Sequence, residues 1–138
     1  MYRHALTITD ADTTVLHFGG DPTAPGFGQH LTFDQILKRC GGAWSAFLDS
    51  LGAFGTGVIG PRLEVDFQAE VVSGDLTIDV TVVSIGRTSF RIRLACSQAG
   101  NQVATVHVVI VSFGYDHRGP LALTDEQRAL LEKHLLTE

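Results

Sequence analysis

Basic side chains are few and scattered along this sequence of 138 residues. Lys and Arg total 10 against 15 Asp and Glu, which gives a formal net charge of −5. No stretch gathers enough Lys and Arg to line a polyanion, so we expect no nucleic-acid partner. A small anionic ligand stays compatible with this balance, because a few well-placed cations are enough to hold one.

Cysteines and long apolar runs are scarce as well. There are two cysteines, Cys40 and Cys96. We expect both to be small buried side chains with free thiols in a reducing compartment, not to form a disulfide. No run approaches the roughly 20 apolar residues of a membrane-spanning helix, and the N-terminal MYRHALTITD lacks the apolar core of a signal peptide. We therefore expect a cytoplasmic protein with no membrane partner, folded as a single domain over residues 1–138.

Signatures of bound metals and cofactors are missing too. No Cys/His spacing matches a metal site, and no glycine-rich turn between a strand and a helix matches a nucleotide site. A Ser–His–Asp triad has no nucleophile elbow on which to rest. The sequence predicts no metal and no cofactor.

The strongest local signal is that of one long helix, Leu31 to Gly52. Thr32 and Gln35 have the spacing of a capping box, Asp34 places a negative charge at the positive end of the helix dipole, and Gly52 can take the left-handed C-cap. Apolar residues recur at steps of three and four, as in a helix that faces a core: Ile36, Leu37, Cys40, Ala43, Trp44, Phe47, Leu48 and Leu51. Two glycines, Gly41 and Gly42, interrupt it; either the helix backbone packs closely on a sheet there, or a ligand needs the room.

The remaining patterns are mostly those of strands. A β-rich run in residues 5–18, best at Thr13 to Phe18, precedes a turn-rich stretch at 19–30. Alternating or apolar runs predict later strands at Leu63–Val72, Leu76–Ile85, Thr88–Ser97 and Val103–Tyr115. A second capping box, Thr124 to Gln127, opens a short C-terminal helix. This order predicts an α+β fold, with a long central helix wrapped by a bent antiparallel sheet of about five strands, and a partner subunit covering a second surface.

Several short motifs, in this order, resemble one family. They are F-G-x-D-P at 18–22, GQHLTFDQILKRCGGAW at 28–44, AEVVSGD at 69–75, SIGRTSF at 84–90 and SFGYDHRGP at 112–120. Together they resemble the hotdog-fold acyl-CoA thioesterases of the 4-hydroxybenzoyl-CoA thioesterase type. The resemblance implies hydrolysis of an acyl-CoA, with an aromatic acyl group as one option, to free acid and CoA. It also implies a pocket at a subunit interface of a homodimer or a dimer of dimers, with CoA present only as part of the substrate.

The same resemblance points to the catalytic group. The family's aspartate, in a turn before the helix, corresponds to Asp21, which would act as nucleophile or as general base on water. The loop here is about five residues longer, TAPGF, so the acid could also have been replaced. His30, Asp34 and Asp12 are then the other candidates, against the simpler readings of a loop histidine for His30 and a helix-dipole charge for Asp34.

Binding residues follow from the same comparison. Backbone N–H groups around Gln29, Leu31 and Thr32 would hold the thioester carbonyl oxygen. A hairpin with Arg87, Thr88 and Ser89 would lie near the CoA phosphates, although a solvated turn explains those residues equally well. The main alternative is a non-catalytic hotdog protein that binds an acyl thioester or another small hydrophobic ligand. A hydratase would need a His–Asp or His–Glu pair, and none has the expected spacing.

Overall fold

One central helix organises the protein. The computed structural model describes residues 1–15, 29–55, 57–116 and 118–136. Helix α1 spans Phe33–Leu51 and ends at Gly52, whose φ of 70° is left-handed, as predicted. It buries one face, formed by Ile36, Cys40, Ala43, Phe47 and Leu48.

The predicted capping box at the start of α1 is not formed. Thr32 is the N-cap residue, but its side chain accepts no hydrogen bond from the helix. The Asp34 carboxylate takes the Thr32 hydroxyl as a donor, and the Gln35 side chain accepts from Arg39 instead. Both replacement bonds involve a charged group, and such bonds are stronger than the neutral pair that the box would supply.

Within the described residues, six antiparallel strands make up the sheet. They are β1 (Tyr2–Ile8), β2 (Val58–Phe67), β3 (Gly74–Ile85), β4 (Ser89–Gln98), β5 (Asn101–Gly114) and the two-residue β6 (Gly119–Pro120). The spatial order is β1-β3-β4-β5-β2, and β6 pairs with β5. Register shifts in the β2–β5, β3–β4 and β4–β5 pairings are of the kind that bends a sheet. A short helix, α2 (Asp125–Glu132), follows, so the predicted α+β architecture is confirmed.

Two strand predictions were misplaced. The first strand is Tyr2–Ile8 rather than Thr13–Phe18; Thr14 makes only an isolated bridge with His30, and residues 16–18 lie outside the described part. Alternate residues of β1 face the core, but the polar His4 among them masks the pattern in the sequence.

The second misplaced strand, β2, begins and ends earlier than predicted. Its register shifts between Ile59 and Arg62, which accommodates Pro61 within the strand. It ends at Phe67 because the N–H groups of Gln68 and Ala69 both donate to the Val103 carbonyl, at 2.9 and 3.1 Å, which closes the ladder.

Helix α1 packs mainly over β3 and β1 and leaves the edge strand β2 less covered. Leu63 and Phe67 pair with the buried Val108 and Ala104, so they lie on the core side of the sheet, yet they are 45% and 49% exposed. The helix does not press its glycines on the sheet: a Cβ on Gly41 or Gly42 would meet nothing within 4 Å in the described structure. Close packing therefore does not explain these glycines.

The two cysteines meet in the core. The Sγ atoms of Cys40 on α1 and Cys96 on β4 lie 3.8 Å apart, and both thiols are free and buried. This agrees with the expectation of small buried side chains.

In the part of the chain that the structure describes, neither helix has the length and apolar character needed to span a membrane.

Candidate active site

A cavity of about 510 Å³ lies at the N-terminus of α1. One wall is the start of the helix, residues 30–36, and the other is the segment that follows β2, residues 67–71. Leu31, Ile36 and Val71 form a buried floor. Two aromatic rings stand at the edge, Phe33 at 67% exposure and Phe67 at 49%. This is an apolar recess at the positive end of a buried helix, where a developing negative charge is stabilised.

Backbone hydrogen bonds hold the two walls together. The Leu31 N–H donates to the Val71 carbonyl at 2.7 Å. The His30 N–H donates to the Thr14 carbonyl at 3.1 Å, and the Thr14 N–H donates to His30 at 2.8 Å. The cavity is therefore braced on both sides of residue 30. The same bonds use the N–H groups of His30 and Leu31, which lie within the stretch expected to hold a carbonyl oxygen.

Asp34 caps the helix rather than pointing away from it. Its carboxylate lies beside the Thr32 hydroxyl and the first backbone N–H groups of the helix, which favour its charged form. The Thr32 hydroxyl in particular holds the pKa of Asp34 below its ordinary value. The side chain stays an anion at neutral pH and neutralises the positive end of α1.

Glu70 is a cavity residue that the sequence did not indicate. Glu70 lies in the wall opposite the helix, and His30 and Asp34 lie in the wall that the helix forms. In the sequence it continues the polar alternation of Glu64, Asp66 and Gln68, so it looked like one more outward-facing strand residue. Because β2 ends at Phe67, Glu70 lies beyond the strand, in the wall of the cavity.

Asp12 is engaged elsewhere. Its carboxylate accepts from the Thr9 N–H and hydroxyl, both at 2.8 Å, and lies 3.4 Å from Arg39 on α1. The hydrogen bond from the Thr9 backbone is the main cause of its lowered pKa. Asp12 does not line the cavity and fastens a short 3-10 turn to the helix.

The hairpin with Arg87, Thr88 and Ser89 lies far from this cavity within one chain. Strand β3 starts at Gly74, close to the cavity wall, and runs for 12 residues to the hairpin. At about 3.3 Å per residue that is a separation of roughly 35 Å. Leu123 donates to the Arg87 carbonyl at 2.8 Å, which ties the hairpin to the chain before α2.

Asp21, the leading catalytic candidate, lies outside the described residues.

A second cavity of about 290 Å³ opens at the other end of α1. Trp44, Ser45, Asp49 and Phe54 are among its walls. In the sequence, Ser45 and Asp49 look like ordinary exposed helix positions, so no pattern there predicts this cavity. Within the described ranges, no group of three or more His, Cys, Asp or Glu side chains could hold a metal ion.

This chain is similar to known proteins in sequence and in fold. The thioesterase superfamily model matches residues 38–105. A solved structure described as a predicted thioesterase from Bacillus stearothermophilus is 19% identical, with a TM-score of 0.79 over 99% of this chain and 98% of that one. A 1,4-dihydroxy-2-naphthoyl-CoA thioesterase from Synechocystis is 18% identical, with a TM-score of 0.71 over 94% of each chain.

A third structure was solved with CoA. It is a hypothetical protein from Staphylococcus aureus, 11% identical, with a TM-score of 0.76 over 99% of this chain and 86% of that one. No curated protein sequence matches this chain significantly.

These findings confirm the predicted hotdog fold and support the prediction of a hydrolase. The narrower 4-hydroxybenzoyl-CoA type is a matter for proposal, because the identities are low. The chain has the hotdog fold of the thioesterase superfamily, and that superfamily's sequence model matches its residues 38–105.

Proposed function

We propose that this protein hydrolyses acyl-CoA thioesters to free acid and CoA, as an enzyme of the 4-hydroxybenzoyl-CoA thioesterase type. The observation that carries the proposal is the apolar cavity of about 510 Å³ at the N-terminus of α1, in a chain with the thioesterase fold. A recess of this size accommodates an aromatic or medium-length acyl group. The two exposed rings at its edge, Phe33 and Phe67, favour an aromatic acyl group.

The chemistry needs one carboxylate and no cofactor. Thioesters are activated acyl groups with a good thiolate leaving group, so a carboxylate can attack the carbonyl directly or remove a proton from an attacking water. Asp21 is the first choice for that carboxylate, with His30 and Asp34 next. The carbonyl oxygen would lie against the first turn of α1, beside Gln29 to Thr32, where the N–H groups of a helix lack intrahelical partners.

A homodimer would complete the site. Strand β2 is an edge strand, with its Phe67 end at the cavity and its Val58 end paired with Ser112 near the hairpin. Antiparallel pairing of two β2 edges would place the Phe67 end of one chain beside the Val58 end of the other. The partner subunit's Arg87, Thr88 and Ser89 would then approach this cavity and could bind the CoA phosphates. A dimer of dimers would use the outer sheet face as well.

Thiol release is the direct test. Purified protein is incubated with a panel of acyl-CoAs and aryl-CoAs, and free CoA thiol is followed by colour. We expect turnover of at least one aryl-CoA, and loss of two or more orders of magnitude in kcat for Asp21→Asn with an unchanged fold. No thiol release from any thioester would refute the proposed activity. Normal turnover by Asp21→Asn would move the catalytic role to Asp34 or His30.

One observation favours a second candidate, a protein that binds an acyl thioester without hydrolysing it. The N–H groups of His30 and Leu31 donate to the carbonyls of Thr14 and Val71, so fewer donors remain for an oxyanion. A pure binder would show a higher melting temperature with acyl-CoA while releasing no thiol.

A further inference from the structure

We infer that the cavity selects acyl groups without a negative charge, and that Glu70 is the side chain that excludes charged ones. The inference rests on the proposed function and names its substrate class: neutral apolar or aromatic acyl groups, including those with a hydroxyl or amino substituent.

The charged side chains around the cavity are nearly all of one sign. Glu70 stands on one wall and Asp34 on the other, and the lining contains no Lys or Arg among the described residues. Among the described lining residues, His30 is the one further titratable side chain.

The cations of α1 do not correct this balance. The guanidinium of Arg39 is shared between Asp12, at 3.4 Å, and the oxygens of Gln35. Its side chain is only 18% exposed. Lys38 is exposed and is not part of the lining.

Glu70 is held in position while its carboxylate stays available. Its neighbour Val71 is buried and accepts the hydrogen bond from Leu31, and Ala69 donates to Val103 at 3.1 Å. Within the described part of the chain, no hydrogen bond or ion pair engages the Glu70 side chain. The backbone therefore fixes where the Glu70 side chain leaves the cavity wall, and its carboxylate can accept a bond from a donor on the ligand.

An acyl group with its own carboxylate would meet two obstacles here. It would leave water for a floor of Leu31, Ile36 and Val71. The described lining of the same chain has no Lys or Arg to pair with it, and the partner subunit's Arg87 proposed above is assigned to the CoA phosphates. It would also face the charges of Glu70 and Asp34 at short range, in a recess where repulsion is less screened than in water. A neutral ring meets neither obstacle, and a hydroxyl or amino group on it could donate to Glu70.

Three substrates of matched size test this. They are benzoyl-CoA, 4-hydroxybenzoyl-CoA and the mono-CoA thioester of terephthalic acid, which carries the extra carboxylate. We expect the wild-type kcat/KM for the charged thioester to be about tenfold or more below that for benzoyl-CoA. Glu70→Gln should reduce the ratio of the benzoyl-CoA kcat/KM to that of the charged thioester by about tenfold.

Asp66→Asn is the matched control. Asp66 is an exposed carboxylate on β2, paired with Thr105 on the opposite face of the sheet from the cavity. The change removes one negative charge from the chain without altering the cavity. The difference in kcat/KM between benzoyl-CoA and the charged thioester should therefore stay as in wild type. An equal narrowing in Asp66→Asn would trace the effect to net charge and overturn the role of Glu70.

The other outcomes are equally distinct. If Glu70→Gln leaves the difference in kcat/KM between benzoyl-CoA and the charged thioester unchanged, the inference is overturned. It is also overturned if turnover of all three thioesters collapses, because Glu70 would then be a catalytic group. If the wild type releases no thiol from any thioester, the proposed function fails separately. The charge ranking is then read from the rise in melting temperature with each thioester, and an equal rise with all three overturns the inference.

Discussion

At the scale of single residues, Asp34 competes with a bound substrate for the positive end of α1. Its carboxylate occupies the helix N-terminus, the place where a substrate oxyanion would gain most from the dipole. The sequence alone predicted the charge and its stabilising position. It could not predict that Thr32 would donate to Asp34, because that choice depends on side-chain rotamers. Glu70 was missed for another reason: its place in the cavity wall depends on where β2 ends, and the alternation of polar and apolar residues does not show that end.

Replacing Asp34 with Asn should lower the melting temperature at neutral pH. The folded-state pKa of Asp34 is below its ordinary value, so the carboxylate stabilises the fold above the unfolded pKa, and this is lost as pH falls through the folded pKa. The difference from wild type should therefore vanish in strong acid. Asp49→Asn is the control: it removes a negative charge near the negative end of α1 and should leave the melting temperature equal or higher. Equal losses in both variants would contradict the capping role.

His134 predicts a second pH effect. Burial is the main cause of its lowered pKa, its ring meets Phe47 edge-on at 5.0 Å, and its Nδ1 is buried without a partner in the described structure. The neutral ring is therefore favoured in the fold, and stability falls as pH drops through the folded pKa. His134→Gln should lose less melting temperature than wild type between pH 7.5 and about pH 5. Parallel pH profiles for the two proteins would be evidence against this.

At the scale of elements, both helices follow from the sequence because their signals are local. The apolar stripe and Gly52 define α1, and the capping box at Thr124 defines α2. The strands were harder, since their ends depend on distant partners. Val103 ends β2 by accepting from Gln68 and Ala69, and no pattern within residues 58–72 reveals that contact.

Gln127 should contribute strongly to the attachment of α2. It is buried, closes the capping box with Thr124 in both directions, at 3.0 and 3.1 Å, and donates to the Ala53 carbonyl at 2.8 Å. We expect Gln127→Ala to lower the free energy of unfolding by about 1–3 kcal/mol. Glu126→Ala, at an exposed neighbouring position, should change it by less than about 0.5 kcal/mol. Urea denaturation of both variants measures the difference; similar values would rule out the anchoring role.

At the scale of the whole molecule, the sequence predicted the architecture but not the distance between the two halves of the candidate site. The cavity and the Arg87 hairpin lie at opposite ends of β3, and only a second chain could bring such ends together. The exposed core-side residues of β2, Leu63 and Phe67, are the surface that such a partner would cover. The composite site therefore stays a proposal that depends on the dimer.

Light scattering after size exclusion tests that dependence. Wild type should have twice the mass of the chain, and Leu63→Arg should shift it toward the monomer, because a charge would enter a buried apolar contact. Val83→Arg is the control, at an exposed apolar position on β3. A monomeric wild type, or a Leu63→Arg variant that stays dimeric, would contradict pairing through β2.

The central claim is that the cavity at the N-terminus of α1 is where an acyl thioester is hydrolysed. Filling it is the most direct test: Ala69→Trp places a large ring in the cavity wall, and Ala129→Trp places the same ring on the exposed side of α2. The measurement is the rate of CoA thiol release from the best aryl-CoA, with circular dichroism to verify the fold. We predict that the kcat/KM of Ala69→Trp is about a hundredfold or more below that of wild type. The kcat/KM of Ala129→Trp should match wild type. Full activity in a folded Ala69→Trp variant would contradict it.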